Sequence, residues 1–159
     1  MTVTQVCVCY LLRTGDNARV EVLLGRKKRG LGTGKLVGPG GKLEVDETPV
    51  QAIVREVAEE TGLNVGAQEL HEAGFISYTF PTQPELDQQS TVFVGREWSG
   101  TPADSDELEL GWYTIDDLDY DQMWDDARHW LPAVLRGGTV DAEFSFAEDL
   151  NSVATHTVR

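Results

Sequence analysis

Residues 41–63 read GKLEVDETPVQAIVREVAEETGL, and this stretch contains the clearest helix signal in the chain. Its apolar residues follow the i, i+3, i+4, i+7 spacing of a buried helical stripe: Val50, Ile53, Val54 and Val57. Thr48 is a favourable N-cap, Pro49 suits the first helical position, and Gln51 completes a capping box. The stretch therefore predicts a helix that begins at Pro49 and ends before Gly62, a typical C-terminal stop.

Three glutamates lie on the other side of this helix, about one turn apart: Glu56, Glu59 and Glu60. Glu56 and Glu60 repel each other at i, i+4, and the C-terminal half of a helix disfavours anions. Such breaks of local preference tend to mark functional sites. A divalent cation would offset both penalties, and oxygen-only ligands suit a hard ion such as Mg²⁺. The alternative is a solvated acidic face, in which Arg55 pairs with Glu59 one turn away.

Strand and helix signals continue on both sides of this helix. Before it, residues 3–12 and 19–25 alternate enough to be strands, joined by a turn over 14–17, and residues 30–42 are rich in glycine. After it, the pattern predicts three strands, a second helix containing Pro132 and a final strand pair: near 72–80, 91–98 and 108–115, then about 125–136, then 139–147 and 151–158. This order predicts an α+β or layered α/β arrangement with helices on a mixed sheet, in one domain over residues 1–159.

The chain is strongly acidic, with a formal net charge of −14. This charge opposes binding to nucleic acid, to anionic membranes and to free phosphates. No apolar run is long enough to span a bilayer, and the N-terminus lacks the basic flank and cleavage site of a signal peptide. We therefore expect a cytoplasmic protein that has neither nucleic acid nor a membrane as its partner.

The lysines form one basic cluster together with two arginines: Arg26, Lys27, Lys28, Arg29, Lys35 and Lys42. One interpretation is a local site for a small anion on an otherwise acidic protein. The other is that Lys27, Lys28 and Arg29 form a solvated turn. The residues alone leave both interpretations open.

Cys7 and Cys9 are the two cysteines of the chain. On a strand this spacing places both side chains on one face, and such near neighbours are poor disulfide partners. No second cysteine or histidine pair completes a zinc pattern. We expect both to be small buried hydrophobes.

The fixed positions within residues 41–63 resemble the signature of the Nudix hydrolases. The matching residues are Gly41, Glu47, Arg55, Glu56, Val57, Glu59, Glu60, Gly62 and Leu63. The resemblance implies an α/β/α sandwich with a mixed sheet and a loop–helix–loop catalytic motif. It also implies that water attacks a phosphorus of a nucleoside diphosphate linked to another group.

The resemblance also assigns roles to residues around the helix. The ligands of Mg²⁺, or of Mn²⁺ as a substitute, would be a backbone carbonyl and the helix glutamates: Gly40, Glu56, Glu60 and, supporting or joining them, Glu59. Arg55 and Glu47 would interact and hold the loop against the helix. A carboxylate would take the proton of the attacking water.

Three further stretches resemble the MutT-type branch of the family, which hydrolyses oxidised purine nucleoside triphosphates: LLGRKKRGLGTGKL at 23–36, GTPADSDELELGWY at 100–113 and DQMWDDARHWLP at 121–132. By this resemblance Glu107 would complete the metal site and serve as a base, and Lys27 would face the phosphates or line the edge of the site. Trp124 would stack on the base, and Asp126 would hydrogen-bond its polar edge.

Each of these four residues also has a purely structural interpretation. Glu107 is one of several acids in its stretch, and Lys27 belongs to the basic turn. Trp124 could be a core aromatic, as Trp130 is expected to be, and Asp125 or Asp126 could cap the second helix. The flanking resemblance favours the functional roles.

Two positions depart from the oxidised-purine pattern. Val37 stands where that branch often has an asparagine that reads the base, so a base would meet an apolar side chain there. Ala127 stands where a second aspartate is usual, although a shift of one residue could let Asp125 serve. Leu31 and Leu36 stand where the branch tends to have aromatics, which indicates a reshaped base site.

These features predict a magnesium-dependent hydrolase that converts nucleoside triphosphates to monophosphate and pyrophosphate. The expected substrates are oxidised purine deoxynucleotides such as 8-oxo-dGTP, which would make the enzyme a nucleotide-pool sanitiser in the service of DNA repair. One alternative is another nucleoside diphosphate derivative, such as a dinucleotide polyphosphate or a nucleotide sugar. Another is a non-catalytic nucleotide-sensing domain. The expected partner is the small-molecule nucleotide; the oligomeric state stays open, with a monomer preferred.

Overall fold

A computed structural model describes residues 3–159, and within this range nine strands and two α-helices form the fold. The strands are β1 (Thr4–Thr14), β2 (Val20–Lys27), β3 (Leu36–Val37), β4 (Gly40–Lys42), β5 (Leu70–Thr79), β6 (Gln88–Gly95), β7 (Leu108–Thr114), β8 (Val140–Phe146) and β9 (Val153–Val158). The helices are α1 (Pro49–Thr61) and α2 (Ala127–Leu135). In the described range, no helix is long and apolar enough to cross a membrane.

The strands form a mixed sheet in the order β3-β2-β1-β6-β5-β8-β9, with β4 added to β1 and β7 added to β2. Strand β1 runs parallel to β6, and β5 runs parallel to β8, whereas the other pairs are antiparallel. Along one edge, the long strand β1 pairs with two strands, β4 and β2. Its first half pairs with β4 at residues 6–8, and its end pairs with β2 at residues 12–14. This division brings β4 against β1 a few residues before α1 begins.

The two helices cover opposite faces of this sheet because strand side chains alternate between its faces. The core beneath α1 buries every second residue of β1: Cys7, Cys9 and Leu11. The core beneath α2 buries residues of β1 that point to the other face: Tyr10 and Leu12. The arrangement is therefore the α/β/α sandwich that the resemblance implies. The prediction for Cys7 and Cys9 is also confirmed, since both are free and buried.

Helix α1 has the bounds and caps that its sequence predicts. The Thr48 hydroxyl accepts a hydrogen bond from the Gln51 backbone N–H at 3.3 Å, and the Gln51 side chain accepts one from the Thr48 N–H at 2.9 Å. Gly62 ends the helix in the left-handed region, with φ of 77°. A favourable N-cap contributes roughly 1 kcal/mol. Both ends of α1 are therefore fixed by local interactions.

The glycine-rich residues 30–42 contain two short strands that the sequence analysis did not predict, β3 and β4. Strands of two and three residues carry too few side chains for an alternating pattern to register. A Cβ atom at Gly40 would overlap the carbonyl oxygen of Cys7. Strand β4 can therefore lie this close to β1 only because that residue is glycine. The longer strands and the second helix, which contains Pro132, form within a few residues of their expected bounds.

We expect Gly74→Ala to destabilise the protein more than Gly137→Ala does. Both glycines have positive φ, at 154° and 93° respectively. A Cβ atom at Gly74 would overlap the Val140 carbonyl oxygen, where β5 pairs with β8, whereas nothing lies within 4 Å of a Cβ atom at Gly137. Overpacking should therefore make the loss of unfolding free energy about 1–3 kcal/mol larger in Gly74→Ala than in Gly137→Ala. Urea unfolding of both variants measures the difference. Equal losses in the two variants would contradict this close approach of β5 and β8.

Candidate active site

An open cleft of about 780 Å³ gathers almost all of the residues that the sequence analysis singled out. The predicted site residues that line it are Gly40, Arg55, Glu56, Glu59, Glu60, Glu107, Lys27, Val37, Trp124 and Asp126. Glu47 does not line the cleft and instead pairs with Arg55. We call one part of the cleft the acidic end, lined by Glu56, Glu59, Glu60 and Glu107. We call another part the aromatic end, lined by Tyr78, Phe80, Trp124, Asp126, Trp130 and Phe146.

The acidic end depends on the close packing of α1 against β4. The backbone N–H of Gly40 donates a hydrogen bond to Glu60 Oε1 at 2.7 Å. The carboxyl group of Glu56 lies over Gly41, where a Cβ atom would come within 2.6 Å of it. Glycine at both positions thus leaves room for two carboxylates of one helix to reach the cleft.

Both of these carboxyl groups are poorly solvated. Burial raises the pKa of Glu60 to about 7, although the Gly40 N–H opposes the shift. Burial also raises the pKa of Glu56, against the opposing effect of the Arg55 guanidinium. Desolvation disfavours the charged form of a carboxyl group, and a nearby cation favours it. A bound cation would therefore stabilise the charged forms of both carboxyl groups.

The donor set fits a hard divalent ion, because it consists of carboxylate and carbonyl oxygens. In the described range, however, no three acidic, histidine or cysteine side chains are gathered closely enough to hold a metal ion. Glu56 is paired with Arg55 and Glu107 with Arg29, in both cases through Oε1, so the Oε2 atom of each carboxylate lies outside these ion pairs. The metal role of Gly40, Glu59 and the other predicted ligands stays a prediction.

Arg55 ties the loop before α1 to the helix, as the resemblance implies. Its Nε and Nη2 atoms donate to the two carboxylate oxygens of Glu47, each at 2.8 Å. It also donates to Glu56 Oε1 at 2.8 Å and to Glu59 Oε2 at 3.3 Å. The pairing of Arg55 with Glu59 therefore exists, but the two-pronged contact with Glu47 is the closer one. Such bidentate pairs fix geometry as well as charge.

Glu107 lies beside the basic turn. Its Oε1 atom accepts a hydrogen bond from Arg29 Nε at 2.9 Å, and this guanidinium lowers the pKa of the carboxyl group. The Lys28 ammonium donates to the Ser105 carbonyl oxygen at 2.7 Å. Lys27 lines the cleft, and its ammonium donates to the Leu31 carbonyl oxygen at 2.7 Å. The turn is thus tied down by its own contacts, with Lys27 at the edge of the cleft.

Asp126 is a buried carboxyl group at the aromatic end, with only 3% of its surface exposed. Its Oδ2 atom accepts hydrogen bonds from the Tyr78 hydroxyl at 2.7 Å and from the Trp130 indole N–H at 2.8 Å. Burial raises the pKa of Asp126, while these two donors act in the opposite direction. Its side chain makes no capping hydrogen bond at the start of α2, so the helix-cap interpretation is wrong.

Asp125 does not replace the aspartate that is missing at Ala127. Its carboxylate accepts a hydrogen bond from the Val153 backbone N–H at 2.8 Å and pairs with Arg128 at 3.1 Å. It does not line the cleft, whereas Asp126 and Ala127 do. These contacts contradict the shift of one residue that would have let Asp125 serve there.

Trp124 lies half-buried in the wall of the cleft, unlike the fully buried Trp130. Its ring meets Phe146 edge-on at 5.8 Å between centroids, and the Lys35 ammonium lies 5.0 Å from the ring centroid. A Cβ atom at Gly32 would come within 2.7 Å of the indole. The ring is therefore held at a fixed place beside the cleft, while Trp130 is the core aromatic that the sequence predicts.

Several residues that line the cleft were not predicted from the sequence: Tyr78, Phe80, Gln88, Ser90, Met123 and Phe146. Most belong to strands, where alternation distinguishes one face from the other but cannot tell a core position from a cleft position. For Gln88 and Ser90 the sequence does contain a clue. They are polar residues two apart in one strand, so their side chains share a face, which indicates a polar surface there. Val37 and Leu31 line the same cleft, and Leu36 adds a buried apolar wall.

Comparison with known proteins finds the same family. A model of the NUDIX domain matches residues 2–134. The oxidized purine nucleoside triphosphate hydrolase of Mus musculus is 36% identical over 139 residues, covering 87% of this chain and 86% of that protein. The protein of that name from Danio rerio is 44% identical over 116 residues, covering 73% and 72%. The crystal structure of a MutT protein from Bacillus halodurans has the same fold, with a TM-score of 0.80 at 24% identity over 98% and 97% of the two chains.

We expect the stability of the Glu47→Gln variant to fall less steeply than that of the wild type as the pH becomes acidic. The Arg55 guanidinium lowers the pKa of Glu47 from 4.5 to about 2 in the folded protein. The stability that this carboxylate contributes is therefore complete above pH 4.5 and is lost as the pH falls toward about 2. Between these limits the melting temperature of the variant should fall less steeply than that of the wild type.

Thermal melts across this pH range measure the difference, with Glu72→Gln on the exposed surface of β5 as the control. The control should follow the wild-type curve. A Glu47→Gln curve parallel to the wild type would show that the ion pair with Arg55 does not carry the stabilisation.

Proposed function

The chain belongs to the Nudix hydrolase family, and on this premise we propose that it hydrolyses purine nucleoside triphosphates to monophosphate and pyrophosphate with Mg²⁺ as cofactor. Oxidised purine deoxynucleotides such as 8-oxo-dGTP are the preferred substrates in this proposal, which makes the enzyme a sanitiser of the nucleotide pool. The observation that carries it is the cleft itself. One cavity joins Glu56 and Glu60 at its acidic end to Trp124 and Asp126 at its aromatic end.

Nudix hydrolases act on small-molecule nucleotides and generally need a divalent metal ion. The proposed ligands are the Gly40 carbonyl and the carboxylates of the acidic end. When bound, Mg²⁺ or Mn²⁺ would polarise phosphoryl oxygens, orient the attacking water and neutralise the leaving group. A cation is also what would let a chain of net charge −14 accept a polyphosphate.

The residues around this site would hold the reacting groups in place. Arg55 steadies the Glu56 carboxylate, and the Gly40 N–H steadies that of Glu60. Lys27, at the edge of the cleft, would face the phosphates with its positive charge. Glu107 lines the same cleft, and in this proposal its carboxylate would accept the proton of the attacking water.

The aromatic end would bind the base. An indole face stacks on a purine, and a buried carboxylate oxygen accepts hydrogen bonds from the base edge. Trp124 and Asp126 both line the cleft, which supports these two roles. Val37 and Ala127 line the same region without polar side chains, so Asp126 would carry the polar recognition of the base there. The names of the relatives from Mus musculus and Danio rerio support this substrate class.

We expect Glu56→Gln to lower kcat for 8-oxo-dGTP hydrolysis roughly 100-fold or more, as the loss of one catalytic carboxylate commonly does. The amide keeps the size of the side chain but removes the charge that a metal ion needs. Pyrophosphate release under Mg²⁺ measures the effect, and thermal melting checks that the variant is folded. Glu72→Gln, exposed on β5 and outside the cleft, is the matched control. Full activity in Glu56→Gln would overturn the metal role of this residue.

A substrate panel tests the proposed specificity. The values of kcat/KM should be highest for 8-oxo-dGTP when compared with dGTP, dATP, a dinucleotide polyphosphate and a nucleotide sugar. A preference for one of the last two would assign the same chemistry to another nucleoside diphosphate derivative. Tight nucleotide binding without any turnover would indicate a sensing domain instead.

A further inference from the structure

The two hydrogen bonds to Asp126 fall on the same carboxylate oxygen. Tyr78 and Trp130 both donate to Oδ2, at 2.7 and 2.8 Å. The other oxygen, Oδ1, receives neither of these donors, and Asp126 lines the cleft. With 97% of the residue's surface buried, this oxygen is the remaining acceptor of a carboxyl group that the protein has otherwise enclosed.

The chemistry of the two donors fixes the role of Oδ2. An indole N–H can only donate, so Oδ2 acts as an acceptor toward Trp130. The Tyr78 hydroxyl adds a second donor to the same atom and so stabilises negative charge on the group. In the carboxylate state Oδ1 therefore presents only lone pairs to the cleft.

Both donors are held by the core and not by loops. Trp130 is 4% exposed and lies one helical turn after Asp126. The Tyr78 ring stacks on Phe144 of β8, with 6.1 Å between centroids, and also contacts Phe146. The donors therefore stay aimed at Oδ2 whether or not a nucleotide is bound.

We propose that Tyr78 is a specificity-determining residue, which, with Trp130, holds Asp126 as a pure hydrogen-bond acceptor and so selects purines of the guanine type over those of the adenine type. This inference rests on the proposed function, because it assigns the base that the same cleft would bind. Tyr78 carries no such signal in the sequence, because alternation along β5 does not distinguish a core position from a cleft position.

The selection follows from the edges of the bases. A guanine-type edge presents a ring N–H beside an exocyclic amine, which are two adjacent donors for one acceptor. An adenine-type base carries its amine between ring nitrogens that have lone pairs. At least one of those lone pairs would be turned toward the carboxylate, and a buried lone pair facing another acceptor is costly.

Tyr78→Phe tests the role of the hydroxyl while keeping the ring. The ratio of kcat/KM for 8-oxo-dGTP to that for dATP should fall roughly tenfold, which is the effect of losing one hydrogen bond to a charged group. The change should lie mainly in KM, because the acidic end is untouched. Tyr113→Phe on β7, whose side chain does not line the cleft, is the matched control and should keep the wild-type ratio. An unchanged ratio in Tyr78→Phe would overturn the proposal.

Asp126→Asn tests the polarity of the site directly. The amide oxygen must accept from Trp130 and Tyr78, so the amide NH₂ would take the place of Oδ1 and face the cleft as a donor. The preference should then invert toward adenine-type nucleotides. Both buried donors keep an acceptor, so the variant should fold; if melting shows otherwise, Tyr78→Phe alone decides. A folded Asp126→Asn variant that still prefers guanine-type substrates would refute the inference.

Binding without turnover separates this inference from the proposed function. Calorimetry with dGMP and dAMP in the absence of metal should show tighter binding of dGMP to the wild type and the reverse in Asp126→Asn. If that pattern holds while no triphosphate is hydrolysed, the proposed function fails and the base assignment stands. If triphosphates are hydrolysed but wild-type binding shows no preference, the base assignment fails alone.

Discussion

The close approach of Gly40 and Gly41 to their neighbours is the constraint on which the acidic end depends. Gly40 lies against the Cys7 carbonyl of β1, and Gly41 lies beneath the Glu56 carboxyl group. Only because neither residue has a side chain can β4 pair with β1 while α1 turns two glutamates toward the cleft. The Gly40 amide then becomes available to Glu60. Backbone packing thus comes first, and the electrostatics of the site follow from it.

Those electrostatics are arranged around a single guanidinium. Arg55 pairs with Glu44, Glu47, Glu56 and Glu59, so one positive charge steadies four negative ones beside the cleft. Glu60 is left with a backbone amide as its hydrogen-bond donor and a pKa of about 7. A surface of this kind repels free phosphate and becomes attractive to a polyphosphate only with a cation present. The strong acidity of the chain is therefore compatible with a nucleotide substrate.

The aromatic end is built differently, since its polar group is held by the hydrophobic core. Asp126 stands at the start of α2, where Trp130 reaches it within the helix and Tyr78 reaches it from the sheet. A buried carboxyl group without partners would be costly, and its two donors compensate for that burial. Because both donors bond to Oδ2, Oδ1 is the carboxylate oxygen left to accept hydrogen bonds in the cleft. Recognition of the base would therefore be set by packing between the sheet and the helix.

The sequence by itself determined α1, its caps, the grouping of acids along it and the family to which they belong, because these depend on neighbours within a few residues. Motif likeness alone also pointed to Trp124 and Asp126, both of which line the cleft. Only the tertiary structure decided that Asp125 is occupied elsewhere, that β3 and β4 exist and that Tyr78 reaches Asp126. Tyr78 and Asp126 are 48 positions apart in the chain. Local patterns carry no information about such a contact, because it forms only when β5 and α2 pack together.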